Sequence, residues 1–159
     1  MAGLYHGGGR GLRVGDEIVP TTGGRHRDGC PICEARAAGN TVVVDGEAID
    51  GPNGHADRVY VTTSRLYARY YASLAGLGDL YRVEPIGELV RSDEDPLVEA
   101  YTCPRARVVA VVDRAVRMTM AEHRRLFRQL GGTTAEWHRM VAAMPSVMRD
   151  LAATRQAGA

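Results

Sequence analysis

The sequence predicts an α+β protein, and three observations carry that reading. Short β-branched and aromatic runs alternate with turns marked by Gly and Pro over the first two thirds of the chain. A single helical pattern interrupts those runs, and two capping boxes open a helical tail. A chain of 159 residues has the size of one domain and can bury a core without disulfide or metal staples. Residues 1–159 therefore read as a single domain, with an enlarged loop at 21–57 and C-terminal helices at 119–153.

The elements follow in order. Gly3 to His6 is a short strand that runs into the turn Gly7-Gly8-Gly9. A second turn, Arg13-Val14-Gly15-Asp16, leads to the strand Glu17-Ile18-Val19, which Pro20 ends. From Thr21 to Asp57 glycine and polar residues predict irregular structure, with one short strand at Thr41 to Val44. A loop of that length inside a compact domain is usually functional. Arg58 to Thr62 is a β-branched and aromatic strand, and a helix follows from Ser64, its N-cap, to Ala75. Leu80 to Val83 is a strand closed by Glu84-Pro85, and the acidic turn Ser92-Asp93-Glu94-Asp95-Pro96 comes next. Arg107 to Val112 is strongly β-branched and predicts a central strand. In the tail, Thr119-x-x-Glu122 and Thr133-x-x-Glu136 each satisfy free backbone N–H groups at a helix start, with Gly131-Gly132 between the two helices.

Composition narrows the partners. Apolar and charged residues make up 45% and 25% of the chain, which is ordinary for a globular protein, and the formal net charge is +1. No bulk electrostatic attraction to nucleic acid or membrane follows from that balance. Every basic residue is arginine, which reads as genome composition. Met1-Ala2-Gly3-Leu4-Tyr5-His6 lacks the apolar core of a signal peptide, and no later run has the length of a membrane span. A soluble, cytoplasmic protein is expected. Oligomeric state is not written in the sequence.

Several residues together suit the cleavage of a glycosidic bond to a cationic ring, as in NAD⁺, through an oxocarbenium-like transition state. His6-Gly7 can grip ribose and carboxamide: the imidazole bonds a hydroxyl, and the glycine lets backbone come close. Tyr60 on a strand and Tyr71 or Tyr70 on the following helix can clamp the ring, since aromatic faces attract cations. Asp93, Glu94 or Asp95 can supply the carboxylate near the developing charge. Each feature also has a plainer explanation. His6 can pack against a sheet, the acidic turn can be solvated, and Tyr67, Tyr70 and Tyr71 can form a core-facing helix stripe, the role assigned to Tyr67.

Four blocks of sequence resemble one family, the rifamycin ADP-ribosyltransferases, a branch of the diphtheria-toxin-like enzymes with a His-Tyr-acid triad. Tyr5-His6-Gly7 followed by Leu12-Arg13-Val14-Gly15-Asp16 is similar to that family's opening, a "YHGT" stretch with a "VGD" turn. Val59-Tyr60-Val61-Thr62 resembles its "IYVT" strand, and Leu80-Tyr81-Arg82-Val83-Glu84-Pro85-Ile86-Gly87 its "IYIVEPxG" strand. Glu94-Asp95-Pro96 resembles the acid-rich turn "EDDP". The blocks agree in order and rough spacing over about residues 4–115, excluding the middle loop.

The resemblance implies a split β-sheet core with flanking helices, NAD as co-substrate and mono-ADP-ribosyl transfer to an acceptor. A hydroxyl on a small molecule such as a rifamycin-like antibiotic is one such acceptor. It implies that His6 binds ribose, that Gly7 and Gly8 lie beside the carboxamide, and that Tyr60 stacks on the ring, with Tyr70 or Tyr71 as the second aromatic. The acid would be Asp95 or Glu94, with Asp95 favoured. The chain departs from the family in three places. Gly8 stands where the family has threonine, the stretch Leu97 to Pro104 is shorter, and the 21–57 loop is longer. Rebuilt loops on both flanks leave the acceptor open.

The enlarged loop also carries His26-x3-Cys30-Pro31-Ile32-Cys33. Two cysteines two residues apart and a nearby histidine offer three ligands of a structural zinc site, with His55, Cys103 or Asp28 as the fourth. Free thiols or a redox pair are the alternatives. The competing functions are a non-enzymatic binding module built on the zinc loop, and an NAD glycohydrolase with water as acceptor.

Overall fold

The computed structural model describes residues 3–20, 42–44, 47–49, 57–74 and 77–143. His26, Cys30, Cys33, His55 and Asp28 lie outside the described residues, as does the C-terminal tail from residue 144. Among the described residues the architecture is α+β: a seven-stranded antiparallel sheet, three helices and a separate two-stranded hairpin. The strands are β1 Leu4–Gly8, β2 Glu17–Ile18, β3 Val42–Val44, β4 Glu47–Ile49, β5 Val59–Thr62, β6 Asp79–Ile86, β7 Val90–Arg91, β8 Ala100–Cys103 and β9 Arg105–Asp113. The helices are α1 Arg65–Leu74, α2 Met120–Gln129 and α3 Thr134–Ala143. In the large sheet the order is β2-β9-β6-β1-β5-β8-β7, and β3 and β4 pair with each other.

Most predicted elements are present, with shifted ends. β1 continues to Gly8, past the point where the glycine run suggested a turn, because five residues from Leu4 to Gly8 pair with β6. β6 continues through Glu84-Pro85, which the sequence reading took as a stop. Its pairing with β1 ends at Leu4↔Val83, whereas Pro85 pairs with Ala106 of β9. Proline is tolerated there because it lacks only the N–H, and the β1 side asks for none beyond Val83. β9 is an interior strand, flanked by β2 and β6, as its β-branched run predicts. The stretch read as a loop before Pro104 contains β8, which pairs along its whole length with β5.

Apolar residues seal both faces of the sheet. One cluster joins Val59, Val61, Tyr81, Val83, Cys103, Ala106 and Val108 with Ile18. On the other face α1 lies against β1 and β6, with Ala68, Ala72, Leu80 and Val116 packed together. Burying a Val or Leu side chain contributes about 1.5–3 kcal/mol, so these two layers supply the main driving force. Leu126 of helix α2, and Met118 just before it, complete the core against Leu66, and Trp137 of α3 packs on Phe127 with ring centroids 5.7 Å apart. Both capping boxes form: Thr119 Oγ1 accepts from the Glu122 amide at 3.2 Å, and Thr133 Oγ1 from the Glu136 amide at 3.2 Å. Among the described residues no helix is long and apolar enough to cross a membrane.

Candidate active site

β1 and β5 are neighbours in the sheet, yet they share a single residue pair, Tyr5↔Thr62, where β1 and β6 share five. One residue further along β1, a side chain takes over from the backbone ladder. His6 Nδ1 lies 2.8 Å from the carbonyl oxygen of Tyr60. A carbonyl can only accept, so Nδ1 carries the proton. Burial lowers the pKa of His6, against the opposing pull of that carbonyl, so the ring is neutral near pH 7 and Nε2 holds a free lone pair.

The two glycines after His6 have different physical reasons. A Cβ on Gly7 would stand 1.8 Å from the carbonyl oxygen of Ala68 and 2.7 Å from the amide nitrogen of Ala72, so Gly7 is what lets α1 lie on β1. The sequence predicts ligand approach at this glycine; a side chain there would also meet the helix backbone. A Cβ on Gly8 would stand 2.5 Å from His6 Nε2. Gly8 thus makes room for the imidazole in the position described.

Across from His6, the half-buried Tyr60 donates its hydroxyl to Glu94 Oε1 at 2.5 Å. The acidic turn is held from both sides, with the Ser92 amide bonded to the Ala100 carbonyl at 2.9 Å and the Val98 amide to the Asp95 carbonyl at 3.0 Å. Its carboxylates face different tyrosines. Asp95 accepts from the Tyr67 hydroxyl, whereas Glu94 meets Tyr60. Sequence reasoning favoured Asp95 as the acid; the geometry puts Glu94 against Tyr60.

Helix α1 brings the second aromatic. Tyr67 and Tyr71 are four residues apart and share one face, with hydroxyls 3.1 Å apart and rings edge-on at 5.1 Å between centroids. Desolvation raises the pKa of Tyr71, and the negative charge of Glu94 raises it further. Its ring is 38% exposed, open enough to meet a ligand. Tyr70 also touches the Tyr71 ring edge-on, but it packs with the Leu66–Leu126 cluster and against His123, with centroids 6.2 Å apart. Of the two residues left open by the sequence, Tyr71 lies with the site and Tyr70 with the core. Tyr67 was read as a core residue. It is one, at 9% exposure, yet its hydroxyl also joins Asp95 to Tyr71. The four-residue spacing from Tyr71 was the available signal.

A buried polar network fixes the loop leaving the end of β1. Asp79 is 2% exposed and lies opposite Gly8 in the sheet. Its carboxylate accepts from the Gly11 amide at 2.9 Å, the Ala115 amide at 2.9 Å and Arg114 Nη1 at 2.5 Å. Burial alone would raise this carboxyl; the two amides, Arg114 and the Tyr81 hydroxyl hold it down at about 2. The Tyr81 hydroxyl accepts from the Leu12 amide at 3.2 Å and shares its one proton between the Gly9 carbonyl, at 2.7 Å, and Asp79 Oδ2, at 3.1 Å. Arg114 Nη2 reaches the Leu12 carbonyl at 3.0 Å. No motif search would find Asp79 as an anchor, because its partners are up to 68 residues away in sequence.

Of the zinc ligands considered, Cys103 alone lies among the described residues. It is enclosed in the sheet core, where its thiol donates to the Val59 carbonyl at 3.7 Å and burial raises its pKa. That environment gives it a packing role. Among the described residues no group of three His, Cys, Asp or Glu side chains could hold a metal ion.

Compared with known proteins, the chain matches no protein-family model and shows no significant match to a curated protein.

Proposed function

We propose that this protein is an NAD-dependent mono-ADP-ribosyltransferase with its site where β1 and β5 part. The observation that carries the reading is a chain of contacts: the His6 ring meets the Tyr60 carbonyl, the Tyr60 hydroxyl meets Glu94, and the charge of Glu94 reaches Tyr71, which links β1, β5, the β7–β8 turn and α1. The resemblance of four sequence blocks to the rifamycin ADP-ribosyltransferases supports it independently of distance.

On this reading His6 Nε2, with its free lone pair, accepts from a ribose hydroxyl of NAD⁺. The rings of Tyr60 and Tyr71 flank the nicotinamide, whose positive charge favours aromatic faces by about 0.5–2 kcal/mol each. The bond between the anomeric carbon and the ring nitrogen breaks, its electron pair goes to nitrogen, and neutral nicotinamide leaves. Glu94, oriented by the Tyr60 hydroxyl, stabilises the cationic sugar and takes the proton of the acceptor hydroxyl as its oxygen bonds to the anomeric carbon. Tyr67 and Asp95 hold the second aromatic and the acidic turn in register.

The test is mass spectrometry of the purified chain incubated with NAD⁺ and a panel of hydroxyl acceptors that includes a rifamycin. Nicotinamide release with one ADP-ribose added to an acceptor is the expected result. Release without any adduct would make water the acceptor and the protein a glycohydrolase. Intact, unbound NAD⁺ would remove the reading.

A further inference from the structure

Helix α1 presents two faces to two different places. Tyr67 and Tyr71 turn toward the acidic turn, whereas Arg65 and Arg69 lie two residues out of step, about 200° around a helix of 3.6 residues per turn. On that second flank lies an open, solvent-facing cleft of about 370 Å³, lined by Arg65, Leu66, Arg69, Glu122 and Arg125. The helices run past each other so that Gln129 Nε2 reaches Ser64 Oγ at 3.3 Å at one end and Arg69 Nε meets Glu122 Oε1 at 3.0 Å at the other.

The charges in this cleft are unequally used. Arg69 is spent: its guanidinium also bonds Asp113 and, at 3.1 Å, the Arg117 carbonyl. Glu122 is neutralised by Arg69 and engaged by the Thr119 cap, and its pKa is lowered despite burial. Among the described residues no carboxylate pairs with Arg65 or Arg125. α1 and α2 together hold five arginines against the single acid Glu122, on a chain whose net charge is only +1. Among the described residues Arg65 and Arg125 line this cleft without a carboxylate partner, and an anion between them would offset the repulsion of like charges. Guanidinium forks on two rigid helices match an acceptor with several oxygens at tetrahedral angles.

We infer that the α1–α2 cleft is a second ligand site, taking the phosphate group of a small phosphorylated molecule between Arg65 and Arg125. Its size and the chain's formal net charge of +1 favour a small molecule over a nucleic-acid backbone, which would call for an extended basic track. The site is separate from the proposed NAD pocket and does not depend on that reading.

Inorganic phosphate is titrated into the full chain at constant ionic strength, balanced with chloride, and the melting temperature is followed. A saturable rise is expected, on the order of 3 °C at tenfold excess over Kd. Arg65 and Arg125 are exposed, and glutamine is a good helix former, so the R65Q/R125Q variant should fold with its phosphate response lost. A stabilising response to NAD⁺ should survive in that variant, and the phosphate response should survive in His6→Ala. Should the double variant unfold, R125Q alone is read in its place, with a Kd at least fivefold weaker expected. No rise in the wild type, or an equal rise in the arginine variants, would overturn the inference. Tighter binding of a single-stranded oligonucleotide than of phosphate, lost in the same variants, would overturn it in favour of a nucleic-acid surface.

Discussion

With the Tyr60 hydroxyl on Glu94 and the Tyr67 hydroxyl on Asp95, two adjacent carboxylates are committed to two different tyrosines. The consequence is a ranking. Glu94→Gln keeps shape and a hydrogen-bond acceptor but removes the charge beside the proposed cationic sugar, and kcat for nicotinamide release should fall about 10²–10³-fold. Asp95→Asn, one step removed, should cost less than about tenfold; the reverse order would move the acid role to Asp95. His6 gives a pH dependence with a defined sign. Its folded pKa lies below the ordinary 6.5, so the neutral ring and its Nε2 lone pair persist down to that value. Acidification below pH 6.5 then protonates Nε2, and kcat/KM should be flat from pH 8 to 6.5 and fall beneath it. The same proton opposes folding, because the unfolded chain binds it more readily. A profile that instead declines toward pH 8 would remove His6 as the acceptor. His6 and Tyr60 were legible in the sequence because each lies in a strand bounded by turn residues. Which acidic side chain meets Tyr60 was not, since three consecutive acidic residues in a turn look alike until tertiary contacts sort them.

At the scale of elements, the contact of α1 with β1 depends on small residues from both partners: Gly7 on the strand, with Ala68 and Ala72, at 2% and 0% exposure, on the helix. The neighbouring glycines therefore predict opposite phenotypes. Gly7→Ala forces a Cβ onto the helix backbone, which cannot swing aside. It should destabilise by about 1–3 kcal/mol, lowering the melting temperature by several degrees. Gly8→Ala instead meets the tip of the His6 ring, which can rotate away, so stability should hold while nicotinamide release drops. Melting curves and turnover on the two variants separate these outcomes; loss of stability in both would show Gly8 to be a packing residue. The fold's regular parts were readable from local pattern: the β9 run, the Ser64 cap and both Thr-x-x-Glu boxes act within a few residues of themselves. β8 and the continuation of β6 through Pro85 were not, because a four-residue strand and a proline in a sheet are licensed by distant partners, Val59 to Thr62 and Ala106.

Over the whole molecule, Asp79 ties together segments that no single element connects. Through Gly11 it holds the loop after β1, and through Arg114 and Ala115 the turn after β9, where Ala115 adopts φ +48°. That left-handed backbone is costly for alanine, and the amide bond to Asp79 is one of the interactions that maintain it. Asp79→Asn preserves the outline but loses the charge and must turn an NH₂ toward donors. Hydrogen bonds to a charged group contribute about 1.5–3 kcal/mol, so the variant should be less stable by roughly that amount at pH 7. The pH dependence of this loss follows from the carboxyl's folded pKa of about 2, below the ordinary 3.8 of an aspartate. A lowered pKa means that the unfolded chain takes up the proton first. The stabilisation is therefore complete above about pH 4 and is withdrawn as pH falls toward 2. Urea unfolding of wild type and Asp79→Asn at pH 7, 4 and 2.5 should show a stability gap that is wide at the first and narrows toward the last. A gap of constant width would mean that shape, not charge, anchors the two loops. Loss of nicotinamide release in a folded Asp79→Asn protein would then trace to the loop's position beside His6.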